Sequence, residues 1–291
     1  MGCLHAALLA EAGVRVTLLD HNPERAAALT RSGLFLEMPD GSTRTVAVPA
    51  TAHPAEIGTA DLVLLLTKAY DTEAAVRHAA PVIGEETSVL TLQNGLGNYE
   101  ILQRHVPPAQ VSAGVTSSGA TLLGAGRIRV AGIGTIILGS PVGEQGRAEK
   151  AAQVFRQGGL AAQVTPDVDA ALWRKAIVNA AINPLGALTG RRNGQLLEHP
   201  PLRRLLGRVA QEAHQVALAA GLPLADLDPV AAVEEVCQAT AANQCSMLQD
   251  VLAQRRTEIE QINGEIVRRG RVAGVATPLN EALMGLIKGV S

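Results

Sequence analysis

Four short, almost uninterrupted apolar runs constrain this chain more than any other feature: residues 14–20, 61–67, 88–92 and 111–116. A strand with one face in water alternates apolar and polar residues. Runs without that alternation are buried on both faces, which requires a parallel sheet covered by helices. The segments between them have helical spacing, so the first half reads as α/β. Two later runs, 128–130 and 135–138, with Gly132 and Gly134 between them, predict an antiparallel hairpin added to the same sheet.

From Asp167 onward helical periodicity dominates, with breaks predicted at Pro184, across 222–229 and at Pro278. The pattern predicts an α/β domain over 1–164 and a helical domain over 165–291. A chain of 291 residues exceeds the usual size of one core, which fits two domains with a cleft for a small molecule. The 25 basic residues balance 27 acidic ones and form no stripe, so no nucleic-acid partner is expected. No apolar run approaches the ~20 residues that span a bilayer and no leader pattern is visible, so a cytoplasmic protein without membrane contact is expected. Cys3, Cys237 and Cys245 are odd in number and lack ligand spacing, and the seven histidines include no HExxH pair, which gives a metal site no support. The chain is compatible with a homodimer.

Helical residues follow Gly2 directly, with Gly13 in the C-terminal position, and a strand ending in Asp20 comes next. This is the second half of a dinucleotide-binding unit, in which a first strand and a G-x-G-x-x-G turn ordinarily precede the helix. If Gly2 is the last glycine of that turn, the expectation is a Rossmann-type domain with its first strand missing from this chain. An ordinary N-terminal amphipathic helix is the other reading. Asp20 stands where an acidic side chain accepts hydrogen bonds from an adenosine ribose, which points to a nicotinamide dinucleotide. A turn leading into a helix near Pro23 explains the same residues.

In residues 172–184 Lys175, Asn179 and Asn183 recur every four positions on an otherwise apolar helix. They share one face and can approach one small ligand together, and Pro184 predicts that the helix stops or kinks there. A snorkelling lysine with two locally bonded asparagines is the alternative. Ser246 with Gln249 and Thr257 with Glu260 both match a capping box, which predicts two helix starts. One straight helix would hold Ser246 and Glu258 ~18 Å apart; two helices allow them near one cleft. Ser246 would then present a helix start to a carboxylate, unless it serves only as a cap. Asn94, Gly95 and Gly97 follow the run 88–92, and Lys68 follows 61–67, at the strand ends where open α/β sheets bind ligands.

The sequences LLTKAY ending at Tyr70, LQNGLG ending at Gly97, LWRKAIVNAAINPL from Leu172, and SMLQD from Ser246 leading into TEIEQING from Thr257 are similar to those of the ketopantoate reductase (2-dehydropantoate 2-reductase) family. The resemblance covers nearly the whole chain. It implies NADP(H)-dependent reduction of 2-dehydropantoate, a 2-oxo acid, to pantoate on the way to pantothenate. It further implies Lys175 as general acid, Glu258 opposite it, Asn179, Asn183 and Ser246 on substrate, and Asn94 between nicotinamide and substrate. Gly2, Asp20, His21, Arg25 and Lys68 fall on the cofactor side. Two departures from the family pattern stand out. The glycine turn is reduced to Gly2, and Asp20 and His21 replace a common arginine, with Arg25 close by, so NAD(H) is an alternative cofactor. Two other readings fit the same residues: a reductase of another small oxo acid, and a non-catalytic dinucleotide-binding protein.

Overall fold

A computed structural model describes residues 1–290 and divides them into two compact units. The first comprises Met1–Gln93 and Asn98–Val168; the second takes Asn94–Gly97 together with the residues from Asp169 onward.

The first unit opens with α1 (Gly2–Glu11), β1 (Leu18–Leu19), α2 (Pro23–Ser32), β2 (Leu34–Glu37), β3 (Thr43–Val46) and β4 (Ala50–Thr51). It continues with β5 (Leu62–Leu65), α3 (Thr72–Ala79), β6 (Ser88–Thr91), α4 (Asn98–Leu102) and β7 (Val111–Thr116). The last elements are β8 (Gly119–Gly124), β9 (Arg127–Gly132), β10 (Ile136–Gly139), α5 (Gly146–Gln157) and β11 (Ala162–Val164). A five-stranded sheet runs in the order β11-β10-β7-β6-β5, with β5, β6 and β7 mutually parallel. β6 shows why its sequence is apolar without alternation. Leu90 enters one core with Leu4, Leu8 and Phe155, while its neighbour Val89 enters another with Leu65, Val76 and Val111. Successive side chains leave a strand on opposite faces, so covering both faces demands apolar residues at every position.

β1 pairs only with β4, in a separate two-stranded parallel sheet, and β5 forms the edge of the large sheet. The run 14–20 therefore yields a strand of two residues only. Leu18 and Val16 nevertheless pack into the core that receives Leu62 and Leu64, beneath α1.

The predicted hairpin is not formed. β9 pairs with β8 and β2 in a four-stranded sheet, whereas β10 pairs antiparallel with β7 in the large one. The hairpin turn instead lies between β8 and β9, at residues 124–127. Gly132 and Gly134 mark the crossing of this ribbon from one sheet to the other, where Ser117 N donates to Thr135 O (3.1 Å) and Gly134 N to Ser118 Oγ (3.0 Å). A side chain at Gly134 would meet Ser117 Oγ at 2.1 Å, so close backbone approach explains the glycine.

The second unit is helical: α6 (Val168–Thr189), α7 (Asn193–Leu197), α8 (Pro200–Ala219), α9 (Pro229–Ala239), α10 (Ser246–Leu252), a π-helical turn (Glu260–Gly264), α11 (Glu265–Ala273) and α12 (Pro278–Val290). The breaks at 222–229 and Pro278 fall between helices, as the sequence predicts. The break at Pro184 does not occur: α6 continues through it to Thr189. Proline removes the hydrogen bond to the carbonyl four residues earlier, here Ala180 O. That carbonyl accepts Asn263 Nδ2 at 3.0 Å instead, so the helix interior is not left with an unpaired acceptor. No helix among the described residues is long and apolar enough to cross a membrane.

α1 also carries a buried histidine. His5 packs edge-on against Phe155, shares its Nδ1 with Met1 O at 3.2 Å, and leaves Nε2 without a partner. Burial pulls its pKa down to about 4, against the opposing pull of the Met1 carbonyl. The folded value lies below the ordinary 6.5, so the stabilisation by neutral His5 is complete above pH 6.5 and is lost as pH falls through about 4. The full effect at low pH is of order 3 kcal/mol. We expect His5→Leu to flatten the fall in melting temperature between pH 7 and 4.5; equal slopes for variant and wild type would show that His5 titrates normally.

Candidate active site

α6 supplies the polar row. Lys175, Asn179 and Asn183 fall on one face and span ~12 Å along the axis. Around them Trp173, Ala176, Ile177, Ala180 and Ile182 are buried. Burial is the larger influence on Lys175, lowering its pKa from 10.5 to about 8, and the negative charge of Glu258 opposes it. A snorkelling ammonium in water would keep its ordinary value. One that gives up its proton near neutral pH can serve as a general acid.

α10 abuts the far end of the row. Cys245, not Ser246, caps it: Leu248 N donates to Cys245 Sγ (3.4 Å), and the thiol donates to Asn183 O (3.4 Å). Burial pushes the thiol up to about 11, which keeps it protonated and able to donate. The cap position faces inward and takes the less polar residue, so Ser246 becomes the first helical residue and stands exposed. The capping box expected at Thr257 is likewise replaced. Thr257 and Glu258 are buried, and Glu258 O accepts from Gln261 N and Ile262 N (both 3.1 Å) as the chain enters the π-helical turn. Two separate helical segments thus flank the stretch between Ser246 and Glu258, as the sequence requires.

Asn94–Gly97 joins this unit against the π-helical turn, with Leu96 N donating to Gln261 O at 2.9 Å. Gly95 adopts φ +84°, and a Cβ there would lie 2.4 Å from Gln261 O. Only glycine allows Asn94 to be held beside the turn. Lys175, Asn179, Asn183, Ser246, Glu258 and Asn94 all belong to the second unit.

Gly2, Asp20, His21, Arg25 and Lys68 belong to the first unit. Asp20 follows β1, and its carboxylate accepts Arg25 Nε (2.6 Å), Arg25 Nη2 (2.7 Å) and Asn22 N (2.8 Å). Burial alone would raise this carboxyl; the Arg25 and Asn22 bonds outweigh it and hold the pKa low. Asn22 caps α2 through Arg25 N, so the turn-and-helix reading of 20–23 holds. Cys3 lies within electrostatic range of Asp20 and Arg25, which places the start of α1 beside that pair. α1 has no side-chain cap bond and no acidic residue in its first turn, an arrangement suited to an anion. Gly2 adjoins Leu66 at the end of β5, where Lys68 starts a short 3₁₀ turn.

Sequence reading passed over Gln93, Thr72 and Asn98. Gln93 Nε2 bonds Thr67 O (3.0 Å), Thr67 Oγ1 (3.1 Å) and Thr72 Oγ1 (3.0 Å), while Thr72 Oγ1 also reaches Asn98 Oδ1 (3.1 Å). This buried network joins the ends of β5 and β6. A glutamine directly after an apolar strand was its visible trace.

Residues 1–143 match the family described as ketopantoate reductase PanE/ApbA, and residues 167–291 match its C-terminal part. The chain belongs to the ketopantoate reductase family. The 2-dehydropantoate 2-reductase of Halobacterium salinarum is 36% identical over 292 residues, covering 99% of this chain and 95% of the relative. The solved 2-dehydropantoate 2-reductase of Geobacter metallireducens is 30% identical at TM-score 0.93, over 100% of this chain and 96% of that one. A D-mandelate dehydrogenase solved with NADH and anilino(oxo)acetate is 28% identical, also at TM-score 0.93, over 99% and 94%. The α/β unit followed by a helical unit is the ketopantoate reductase fold.

Gly95→Ala should lower stability by at least ~2 kcal/mol through the left-handed backbone and the clash with Gln261 O. Gly97→Ala, whose added carbon meets only the Glu265 side chain at 3.4 Å, should cost about half as much. Denaturant melts compare the two, and equal losses would mean that the Gln261 contact is unimportant.

Proposed function

We propose that this chain reduces 2-dehydropantoate to pantoate, with residues 1–164 holding the nicotinamide dinucleotide and 165–291 supplying the substrate groups. The observation that carries the reading is Lys175: an ammonium on an apolar helix, lowered to about 8 by burial and opposed by the charge of Glu258, beside two asparagines at helical spacing. When bound, a nicotinamide dinucleotide would supply the hydride for the ketone carbon. As that carbon gains the electron pair, charge grows on the carbonyl oxygen, and Lys175 stabilises it and transfers the Nζ proton to it. The neutral amine left behind recovers a proton from solvent. Asn179 and Asn183 hold the substrate's carboxylate and hydroxyl, joined by Ser246 at the start of α10. Glu258 orients the substrate opposite Lys175, and Asn94 lies at the junction of substrate and nicotinamide. Similarity to a D-mandelate dehydrogenase favours one second reading, reduction of another 2-oxo acid on this scaffold, and turnover of a panel of oxo acids separates the two.

A positioned proton donor contributes ~100- to 10,000-fold, so Lys175→Ala should lose at least ~100-fold in kcat while melting within a few degrees of wild type. Glu258→Ala should chiefly raise KM. A Lys175→Ala enzyme within a few-fold of wild-type turnover would remove the assignment.

At the adenosine end, Asp20 supports a reading on the choice of dinucleotide. A carboxylate at the end of the second strand accepts from a ribose diol and repels a 2′-phosphate, and this one also engages the guanidinium of Arg25, a candidate to receive that phosphate. NADP(H), the cofactor the family resemblance implies, is therefore not strongly preferred over NAD(H). We expect kcat/KM values for NADPH and NADH within about tenfold of each other, and Asp20→Ser to shift the ratio toward NADPH by about tenfold or more as Arg25 is released. A wild-type preference for NADPH above a thousandfold would show that Asp20 does not face the ribose.

A further inference from the structure

Asn263 is fully buried in the π-helical turn and makes two hydrogen bonds through one nitrogen, to Ala180 O (3.0 Å) and to Asn280 Oδ1 (3.0 Å). Ala180 is the residue whose carbonyl loses its helical partner to Pro184, and it follows Asn179 directly in the polar row. Asn280 continues the chain of contacts: its Nδ2 reaches Val209 O (3.3 Å) and Glu212 Oε2 (2.9 Å), and the Glu212 carboxylate also accepts Leu279 N and Asn280 N at the start of α12. The turn is thus tied by Asn263 to α6 and α12 and, through Asn280, to α8.

Stability alone does not account for this residue. Asn263 Oδ1 is buried without a partner, as is Gln261 Oε1 in the same turn, and a π-helical turn is itself an unfavourable backbone form. Unsatisfied buried acceptors and irregular helix concentrate where geometry serves function. Here the geometry at stake is close at hand. Glu258, whose carbonyl accepts from Gln261 N and Ile262 N of the turn, lies five residues before Asn263, and Lys175 lies five residues before Ala180.

We propose that Asn263 is a positioning residue of this reductase, which uses the carbonyl vacated by Pro184 as an anchor and thereby fixes the separation of Glu258 and Lys175. The proposal rests on the reading of Lys175 as the acid. Pro184 then has a function as well as a position: it frees one carbonyl at the centre of the polar row for a tether from a different element.

The experiment separates anchoring from mere repair of α6. Pro184→Ala restores an N–H that can bond Ala180 O, but it provides no link to the turn. Four full-length proteins, wild type, Asn263→Ala, Pro184→Ala and the double variant, are compared by thermal melt and by the pH dependence of kcat/KM for 2-dehydropantoate. Asn263→Ala should melt lower, lose about tenfold or more in kcat, and move the alkaline limb of the profile. The double variant should recover most of the melting temperature yet keep the lowered kcat and the displaced limb. Recovery of kcat and profile together with stability would overturn the proposal, as would an Asn263→Ala enzyme with wild-type kcat and profile. If Lys175→Ala retains wild-type turnover, the acid assignment falls and the proposal with it. If Lys175→Ala is inactive while Asn263→Ala is normal, only the positioning claim falls.

Discussion

Lys175 sits on α6 beside the buried apolar residues Trp173, Ala176 and Ile177, so the free energy of its charge depends on what faces it. Burial favours the neutral amine and the charge of Glu258 favours the ammonium, and together they leave the group at about 8. Remove the carboxylate and the lysine loses a proton more readily; expose it to water and it returns to a value too high for a good acid. α6 supplies the lysine, the π-helical turn carries the chain on from the glutamate, and the amides of Asn263 and Asn280 tie the two to α8 and α12.

The α/β unit is organised around the carboxyl ends of its strands. Gln93 fastens the end of β6 to that of β5 through Thr67 and Thr72, and the chain then passes at once into Asn94–Gly97, which packs against the π-helical turn. Asn94 thus lies between the side-chain bonds of Gln93 on one side and the Leu96–Gln261 backbone bond on the other. At β1 the Asp20 and Arg25 pair performs a different task. It neutralises a carboxylate that would otherwise be costly to desolvate, and in doing so it engages the Arg25 guanidinium.

The parallel strands were legible because burial on both faces leaves a direct mark, apolar residues without alternation, in runs such as 88–92. The same rule misplaced the hairpin. Runs 128–130 and 135–138 look alike in sequence, and only pairing partners far away, β2 and β7, assign them to different sheets. Pro184 misled for a related reason: proline reports a lost backbone bond, while the replacement donor, Asn263, lies on another element. The row Lys175, Asn179, Asn183 was readable from helical spacing alone, whereas Cys245 was not, because a buried thiol cap competes with a serine one position later that carries the stronger capping signature. Asn263 and Gln93 left little trace, since an amide's importance depends on the carbonyls it meets.

The proposed reduction depends on the protonation state of Lys175. The pH dependence of kcat/KM for 2-dehydropantoate reduction reports that group in the free enzyme. It should fall with unit slope above an apparent pKa close to 8, and Glu258→Gln, which removes the charge that favours the ammonium, should move the midpoint to lower pH. A profile level to pH 10, or a midpoint unmoved by Glu258→Gln, would contradict it.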